Sequence, residues 1–321
     1  DARTGGGPEA AVSLRSSSIV TTQNILAAGV IGLGSMGLGM AQSMVKRGIK
    51  VSGFDINSAA VAKFVEAGGS SAASVVEVAK NAHVLLVVVV NAAQTDMVLF
   101  GENGAAAAMK KGSVIISSAT MAPDDARRLA AKAEALGLLY LDAPISGGAA
   151  KAALGQLTVM ASGTPEAFTR ARPALDAIAA TVHELGDAAG IGASFKMVNQ
   201  LLAGVHIAAA CEAVTFAKKL GLDLPTVYKV ITASAGNSWM FENRVPHILD
   251  GDYAPRSAVE IFTKDLGIVS DMGRREKFPL QIAATALQMF LMTAAAGMER
   301  DDDASVARMI AEMTGLELPA S

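Results

Sequence analysis

The chain has 321 residues, 51% of them hydrophobic and 4% aromatic, with one cysteine and a formal net charge of −3. That length suits two domains around large cores packed mostly from small aliphatic side chains. The acidic balance excludes the basic footprint of a nucleic-acid binder, and the lone Cys211 excludes an internal disulfide or a cysteine-based metal site.

Residues 1–24 are rich in Gly, Ser, Ala and Thr and lack the apolar stretch of a signal peptide. They are expected to form a flexible leader. The longest purely aliphatic run, Val84–Val90, is strand-length and far shorter than the ~20 residues of a membrane-spanning helix. No membrane partner and a cytoplasmic location are therefore expected.

A strand over Ala27–Ile31 runs into the turn Gly32-Leu33-Gly34-Ser35-Met36-Gly37, and a helix over Met36–Arg47 follows, stopped by Gly48. In that setting Gly32 makes the tight turn, Gly34 lets the backbone approach a pyrophosphate, and Gly37 lets helix and strand pack closely. The helix start offers unpaired N–H groups to an anion. A second strand, Lys50–Phe54, ends at Asp55, which is placed to meet the adenosine ribose hydroxyls. Its charge repels a 2′-phosphate, and Ile56-Asn57-Ser58 carries no arginine to neutralise one, so NAD is expected over NADP.

Further strands are predicted over His83–Val90, Ser113–Ser117, Leu138–Asp142, Leu157–Ala161 and Thr181–Glu184. Helices are predicted over Ala59–Ala67, Ala92–Leu99, Pro123–Leu136 and Pro165–Ala179. This alternation is the signature of an α/β domain with one parallel sheet covered on both faces, here spanning residues 25–190. From Ala193 to Leu220 the chain reads as one long helix ended by Gly221. Helices over Pro225–Ala235, Val259–Arg275, Leu280–Ala296 and Ala304–Thr314 complete an all-helical domain over 191–321. Met289, Met292 and Met298 suggest buried faces and a homodimer or homotetramer.

Four histidines are scattered with no ligand spacing, and no metal is expected. Asp142-Ala143-Pro144-Ile145-Ser146-Gly147-Gly148 follows a strand, and its last three residues can aim a hydroxyl and backbone N–H groups at a carboxylate. Lys196 is predicted in the first turn of the long helix with Asn199 and Gln200 on its face, where the helix dipole and burial in an interdomain cleft lower its pKa. Residue types alone leave two readings open for each: an anion nest or a plain loop, and a proton-transfer group or a surface lysine. Lys264-Asp265, taken alone, reads as surface charge.

Taken together, Gly32–Gly37, Asp142–Gly148, Lys196-Met197-Val198-Asn199-Gln200 and Lys264-Asp265-Leu266 resemble the β-hydroxyacid (3-hydroxyisobutyrate-type) dehydrogenase family, from about Gly29 to Leu318. The resemblance implies a Rossmann-type domain joined by a long helix to an all-α domain. It implies Lys196 as catalytic base, Ser146, Gly147 and Gly148 as carboxylate cradle, and Asn199 and Gln200 as substrate contacts. Lys264 would close over cofactor and substrate, while Val90, Asn91 and Thr120 would line the nicotinamide ribose. Two departures stand out: Ala119-Thr120 where the family often has Ser-Thr, and Gln200 where it often has Asn. Gln200–His206, Gly236–Arg244 and Gly251-Asp252-Tyr253 with Pro255 and Ser257 look like the branch that oxidises L-threonate at C2. Oxidation of 3-hydroxyisobutyrate, reduction of tartronate semialdehyde, or non-catalytic NAD sensing are the alternatives.

Overall fold

The computed structural model describes residues 26–319, so the expected leader lies outside the described residues. The first domain opens with β1 (Ala27–Ile31), α1 (Gly37–Lys46), β2 (Lys50–Phe54), α2 (Ser58–Glu66), β3 (Ser70–Ser71) and α3 (Val75–Lys80). It continues through β4 (Val84–Val87), α4 (Ala92–Phe100), β5 (Val114–Ser117), α5 (Pro123–Ala135) and β6 (Leu139–Asp142). These six strands form one parallel sheet in the order β3-β2-β1-β4-β5-β6. Apolar layers cover both faces: Val30, Leu86 and Ile116 point into one, and Ile31, Leu85, Val87 and Ile115 into the other. Burial on both sides is why these strands read as apolar runs without alternation.

The last two predicted strands do not join this sheet. β7 (Ile145–Ser146), α6 (Gly148–Ala153), β8 (Leu157–Ala161), α7 (Pro165–Ile178) and β9 (Ala179–Glu184) follow, and β7-β8-β9 make a separate three-stranded sheet. β7 pairs antiparallel with β8, so the single-sheet expectation is corrected. The strand expected over His83–Val90 ends at Val87, because Val88 and Val89 leave the sheet to pack under the glycine turn: a Cβ on Gly32 would fall 2.5 Å from Val88 O. The short elements β3, α3, β7 and α6 carry too few residues for a periodicity to show.

The remainder is helical: α8 (Ile191–Lys219), α9 (Leu224–Thr232), α10 (Trp239–Asp250), α11 (Val259–Arg275), α12 (Gln281–Thr293) and α13 (Val306–Thr314). α10 escaped prediction because Pro246 reads as a breaker. Ser238 caps it, accepting from Phe241 N, and Phe241, Val245 and Ile248 form its buried face. α8 packs against α10, α11, α12 and α13 as the axis of this domain. α8 and the segment Gln281–Met298 are long and apolar enough to cross a membrane by length and composition, but α8 spends that apolarity on the core. Cys211 lies in that core, fully buried. Met298 is buried there too, whereas Met292 is exposed.

Three close approaches set the layout. A Cβ on Gly39 of α1 would lie 2.6 Å from Ala153 N, so α6 lies directly against α1. One on Gly204 of α8 would lie 2.8 Å from Leu266 Cδ1, which marks the α8–α11 crossing. One on Gly192 would lie 2.4 Å from Met160 O and 2.7 Å from Asp142 O, so α8 begins on the backbone of the first domain. Gly192→Ala forces backbone apart and is expected to cost about 1–3 kcal/mol. Gly267→Ala, mid-helix with open space around its Cβ, is expected to be neutral or to gain up to about 1 kcal/mol. Thermal melts of the two variants check the pair, and equal shifts reject the account.

Candidate active site

The glycine turn is built as the sequence predicts. Gly32 adopts φ +94° and donates to Phe54 O at 3.0 Å. Leu33 is buried beneath the turn, while Gly34 and Ser35 are exposed and Met36 is half-buried. A Cβ on Gly37 would fall 1.9 Å from Gly32 O, whereas one on Gly34 would meet nothing within 4 Å. No side chain caps the start of α1. Open space at Gly34 beside uncapped helix N–H groups fits a pyrophosphate. Asp55 ends β2 as expected, and its carboxylate accepts from Leu33 N (2.6 Å) and Asn57 N (2.7 Å). It thereby ties the turn to β2 while remaining half-exposed where a ribose would lie.

Where the two domains touch, the structure gathers most of the other predicted residues. Gly147 and Gly148 have φ +136° and +78°, and no neighbour lies within 4 Å of a Cβ built on Gly148. Those left-handed conformations favour glycine. The register of β7 on β8, Ser146 opposite Thr158, fixes the loop from below. Lys196 Nζ donates to Ile145 O at 2.7 Å, which sets the amine against the residue before Ser146. Lys196 is buried, and burial lowers its pKa to about 8; Asp265 pulls it back up and Lys264 pushes it further down. The sequence reading put this lysine in the first helical turn. The helix starts two residues earlier, at Ile191, so Lys196 sits in the second turn, beyond the reach of most of the dipole. Desolvation is the cause.

Asn199 Nδ2 donates to Gln200 Oε1 (3.0 Å), and Gln200 Nε2 donates to Asp265 Oδ2 (2.5 Å). Asp265 is only 1% exposed, so this residue is no surface charge. Lys264 Nζ lies 2.7 Å from Asp265 Oδ1, a close ion pair whose angle does not make it a hydrogen bond. The same ammonium donates to Val90 O (2.9 Å) and Thr120 O (3.4 Å), reaching from the helical domain onto two loops of the parallel sheet. Val90 and Thr120 thus contribute backbone carbonyls. The Asn91 side chain caps α4, accepting from Gln94 N at 2.8 Å.

Several polar residues of the Gly236–Arg244 stretch are engaged in the fold. Asn237 holds Glu242 (2.5 Å), Ser238 caps α10, and Arg244 is paired with Asp303 in the core. Trp239 remains half-exposed, and Lys151 Nζ of α6 lies 5.9 Å from its ring centre, linking the nest helix to α10. Sequence reasoning missed the Ile145 carbonyl as the lysine's anchor, since a backbone atom carries no sequence signal. Among the described residues no three His, Cys, Asp or Glu side chains converge as a metal site.

A parallel sheet of this order with a glycine turn at the β1–α1 junction is a dinucleotide-binding fold, here with a buried lysine bonded to the residue that precedes Ser146-Gly147-Gly148. The family model for the NAD-binding domain of 6-phosphogluconate dehydrogenase matches residues 27–186, and that for the NAD-binding part of NADP-dependent 3-hydroxyisobutyrate dehydrogenase matches 190–310. The L-threonate dehydrogenase of Cupriavidus necator is 53% identical over 91% of this chain and 97% of its own, and that of Haemophilus influenzae is 48% identical over 90% and 96%. The crystal structure of a 3-hydroxyisobutyrate dehydrogenase from Salmonella typhimurium superposes with a TM-score of 0.85 at 49% identity, covering 88% of this chain and 99% of that one. The chain belongs to the 3-hydroxyisobutyrate dehydrogenase-like family of nicotinamide dinucleotide-dependent hydroxy-acid dehydrogenases.

Two substitutions separate packing from binding in the glycine turn. Gly37→Ala is expected to lower the melting temperature of the free protein, because its Cβ strikes backbone. Gly34→Ala is expected to melt like wild type and lose dinucleotide affinity, because its Cβ fills the open cradle. Calorimetric binding alongside thermal melts reads both, and normal dinucleotide affinity in Gly34→Ala rejects the cradle.

Proposed function

We propose that the protein oxidises the C2 hydroxyl of L-threonate, or of a close four-carbon aldonate, to the 2-oxo acid, with NAD as hydride acceptor and Lys196 as general base. The observation that carries this reading is the bond from Lys196 Nζ to Ile145 O, which sets a lysine of depressed pKa beside the Ser146-Gly147-Gly148 nest. When bound, the dinucleotide supplies the hydride acceptor. The residues of the chain do the rest. Ser146, Gly147 and Gly148 hold the substrate carboxylate, which places C2 and its hydroxyl next to the lysine. With a pKa of about 8 the amine has a substantial neutral fraction at mildly alkaline pH and accepts the hydroxyl proton. Ile145 O orients Nζ, and Lys264 holds the two domains together over the cleft. Asn199 offers the rest of its amide to the substrate's further hydroxyls and Gln200, bonded to both Asn199 and Asp265, holds it there; such partners reject analogues that lack them.

L-Threonate is the named substrate of the Cupriavidus and Haemophilus relatives, whereas the Salmonella structure carries the name of a 3-hydroxyisobutyrate dehydrogenase. The latter supports 3-hydroxyisobutyrate as a second reading, with tartronate semialdehyde reduction behind it. NAD over NADP rests on Asp55 and the lack of an arginine after it. Exposed Phe195, Val198 and Leu202 along α8, with Ile282, Leu291 and Met292 on α12, support a homodimer or homotetramer. A dinucleotide-dependent reaction on a small acid supports a cytoplasmic setting.

Assays with NAD and NADP across L-threonate, 3-hydroxyisobutyrate and glycerate are expected to give the highest kcat/KM for L-threonate with NAD. Equal rates on all three reject the threonate reading, and no reduction of either dinucleotide leaves a sensing module. Lys196→Ala is expected to lose about 10²–10⁴-fold in kcat with dinucleotide affinity nearly unchanged; full activity in that variant rejects the lysine. A base must be neutral, so kcat for oxidation is expected to rise with pH through about 8 and level off above it. The reverse reaction needs the protonated amine and is expected to fall over the same window.

A further inference from the structure

The start of α8 has no cap of its own: its N-cap residue, Gly190, has φ +96° and makes no side-chain bond. Its amides are held instead by side chains from the two sheets. Asp142 Oδ2, at the end of β6, accepts from Gly190 N (2.9 Å) and Ala193 N (2.8 Å). Ser162 Oγ, just after β8, accepts from Gly192 N (2.9 Å) and lies 3.5 Å from the same carboxylate oxygen. The backbones of Asp142 and Ser162 also pair, with Asp142 N donating to Ser162 O (3.0 Å) and Ser162 N to Asp142 O (2.8 Å). Both side chains are buried, at 2% and 0% exposure. One carboxylate therefore joins the parallel sheet, the second sheet and the long helix.

The position of this joint matters more than its strength. Asp142 lies three residues before Ile145, whose carbonyl anchors Lys196. Ala193 lies three residues before Lys196, less than one helical turn away. The loop that carries the glycine nest thus grips the helix at its first turn and the lysine at its second. We propose that Asp142 and Ser162 are positioning residues for catalysis: they set the height of α8 on the first domain so that Lys196 Nζ meets Ile145 O beside the nest. This rests on the reading of Lys196 as the base. It also divides the Asp142–Gly148 motif into a helix seat at its first residue and a carboxylate cradle at its last three.

The chemistry of the seat fits the role. Burial raises the Asp142 carboxyl to about 6, while the Ala193 and Gly190 amides, Ser162 and then Arg127 of α5 act against that rise. At neutral pH it is an anion facing the positive end of a helix, a favourable pairing. Among the described residues nothing donates to Asp142 Oδ1. An asparagine can therefore keep its oxygen on the two amides and put its NH2 where no donor opposes it.

The test compares Asp142→Ala, Asp142→Asn and Ser162→Ala with wild type, using the hydroxy acid that wild type turns over best. A 1 Å misplacement can cost about 100-fold, so Asp142→Ala is expected to lose kcat on that scale. KM and NADH affinity, the latter read by fluorescence, should stay within a few-fold. Asp142→Asn is expected to recover most of the loss, and Ser162→Ala to lose a few-fold. Independently of substrate, the pH midpoint of amine-specific labelling of Lys196, followed by mass spectrometry, is expected to rise above about 8 in Asp142→Ala as water enters a loosened joint. Wild-type kcat in Asp142→Ala, or a folded Asp142→Asn as slow as Asp142→Ala, overturns the proposal. If Asp142→Ala does not fold, a Ser162→Ala variant with unchanged kcat and unchanged labelling midpoint overturns it. If wild type turns over no hydroxy acid, the functional reading fails while the labelling midpoint still decides the positioning role.

Discussion

Everything in the cleft depends on how α8 sits on the first domain. At Gly192 the helix touches the carbonyls of Met160 and Asp142 with no room for a side chain. A 29-residue helix is a rod about 44 Å long, so fixing one end of it fixes the direction of everything packed along it. α10, α11, α12 and α13 gather around that rod. Through the crossing at Gly204, α11 brings Lys264 and Asp265 to the same level as Gln200. Ser146, Gly147 and Gly148 lie on the loop that receives the helix, so that loop and Lys196 are fixed in one frame.

The buried charges follow two different rules. Deep in the helical domain the charges are matched: Arg244 is paired with Asp303. Breaking such a pair leaves an uncompensated buried charge, which makes these groups supports of the fold. In the cleft the matching is deliberately incomplete, with two lysines sharing one aspartate. Lys264 takes the ion pair and two loop carbonyls, and Lys196 is left with a neutral carbonyl partner. A buried amine without its own counter-ion gives up its proton more readily than one in water.

Much of this was legible in the residues. The glycine turn, Asp55 and the apolar strands are local patterns, since each depends on backbone sterics or burial within one element. The long helix and its polar face at Lys196, Asn199 and Gln200 were legible for the same reason. The elements that escaped were those too short for a period, such as β7 and α6, or those with a misleading residue, such as α10 with Pro246. The partition of the strands into two sheets escaped because an antiparallel two-residue pairing at Ile145-Ser146 has no sequence signature.

The sequence by itself determined the glycine turn between a strand and a helix, the acid at the end of the second strand and the long helix that carries Lys196, because those features need particular residue types at fixed local spacing. Tertiary structure decided how deeply Lys196 is buried and what it touches. Its pKa is lowered by burial between two domains, with Lys264 pushing the same way and Asp265 against it; of the two causes expected from the sequence, burial acts and the helix end does not, since Lys196 lies in the second turn. It also decided that Asp265 is buried and that Asp142 grips α8 from the far end of the loop that carries Ser146, Gly147 and Gly148. Desolvation and long-range hydrogen bonds are properties of what surrounds a residue, and only the folded chain supplies the surroundings.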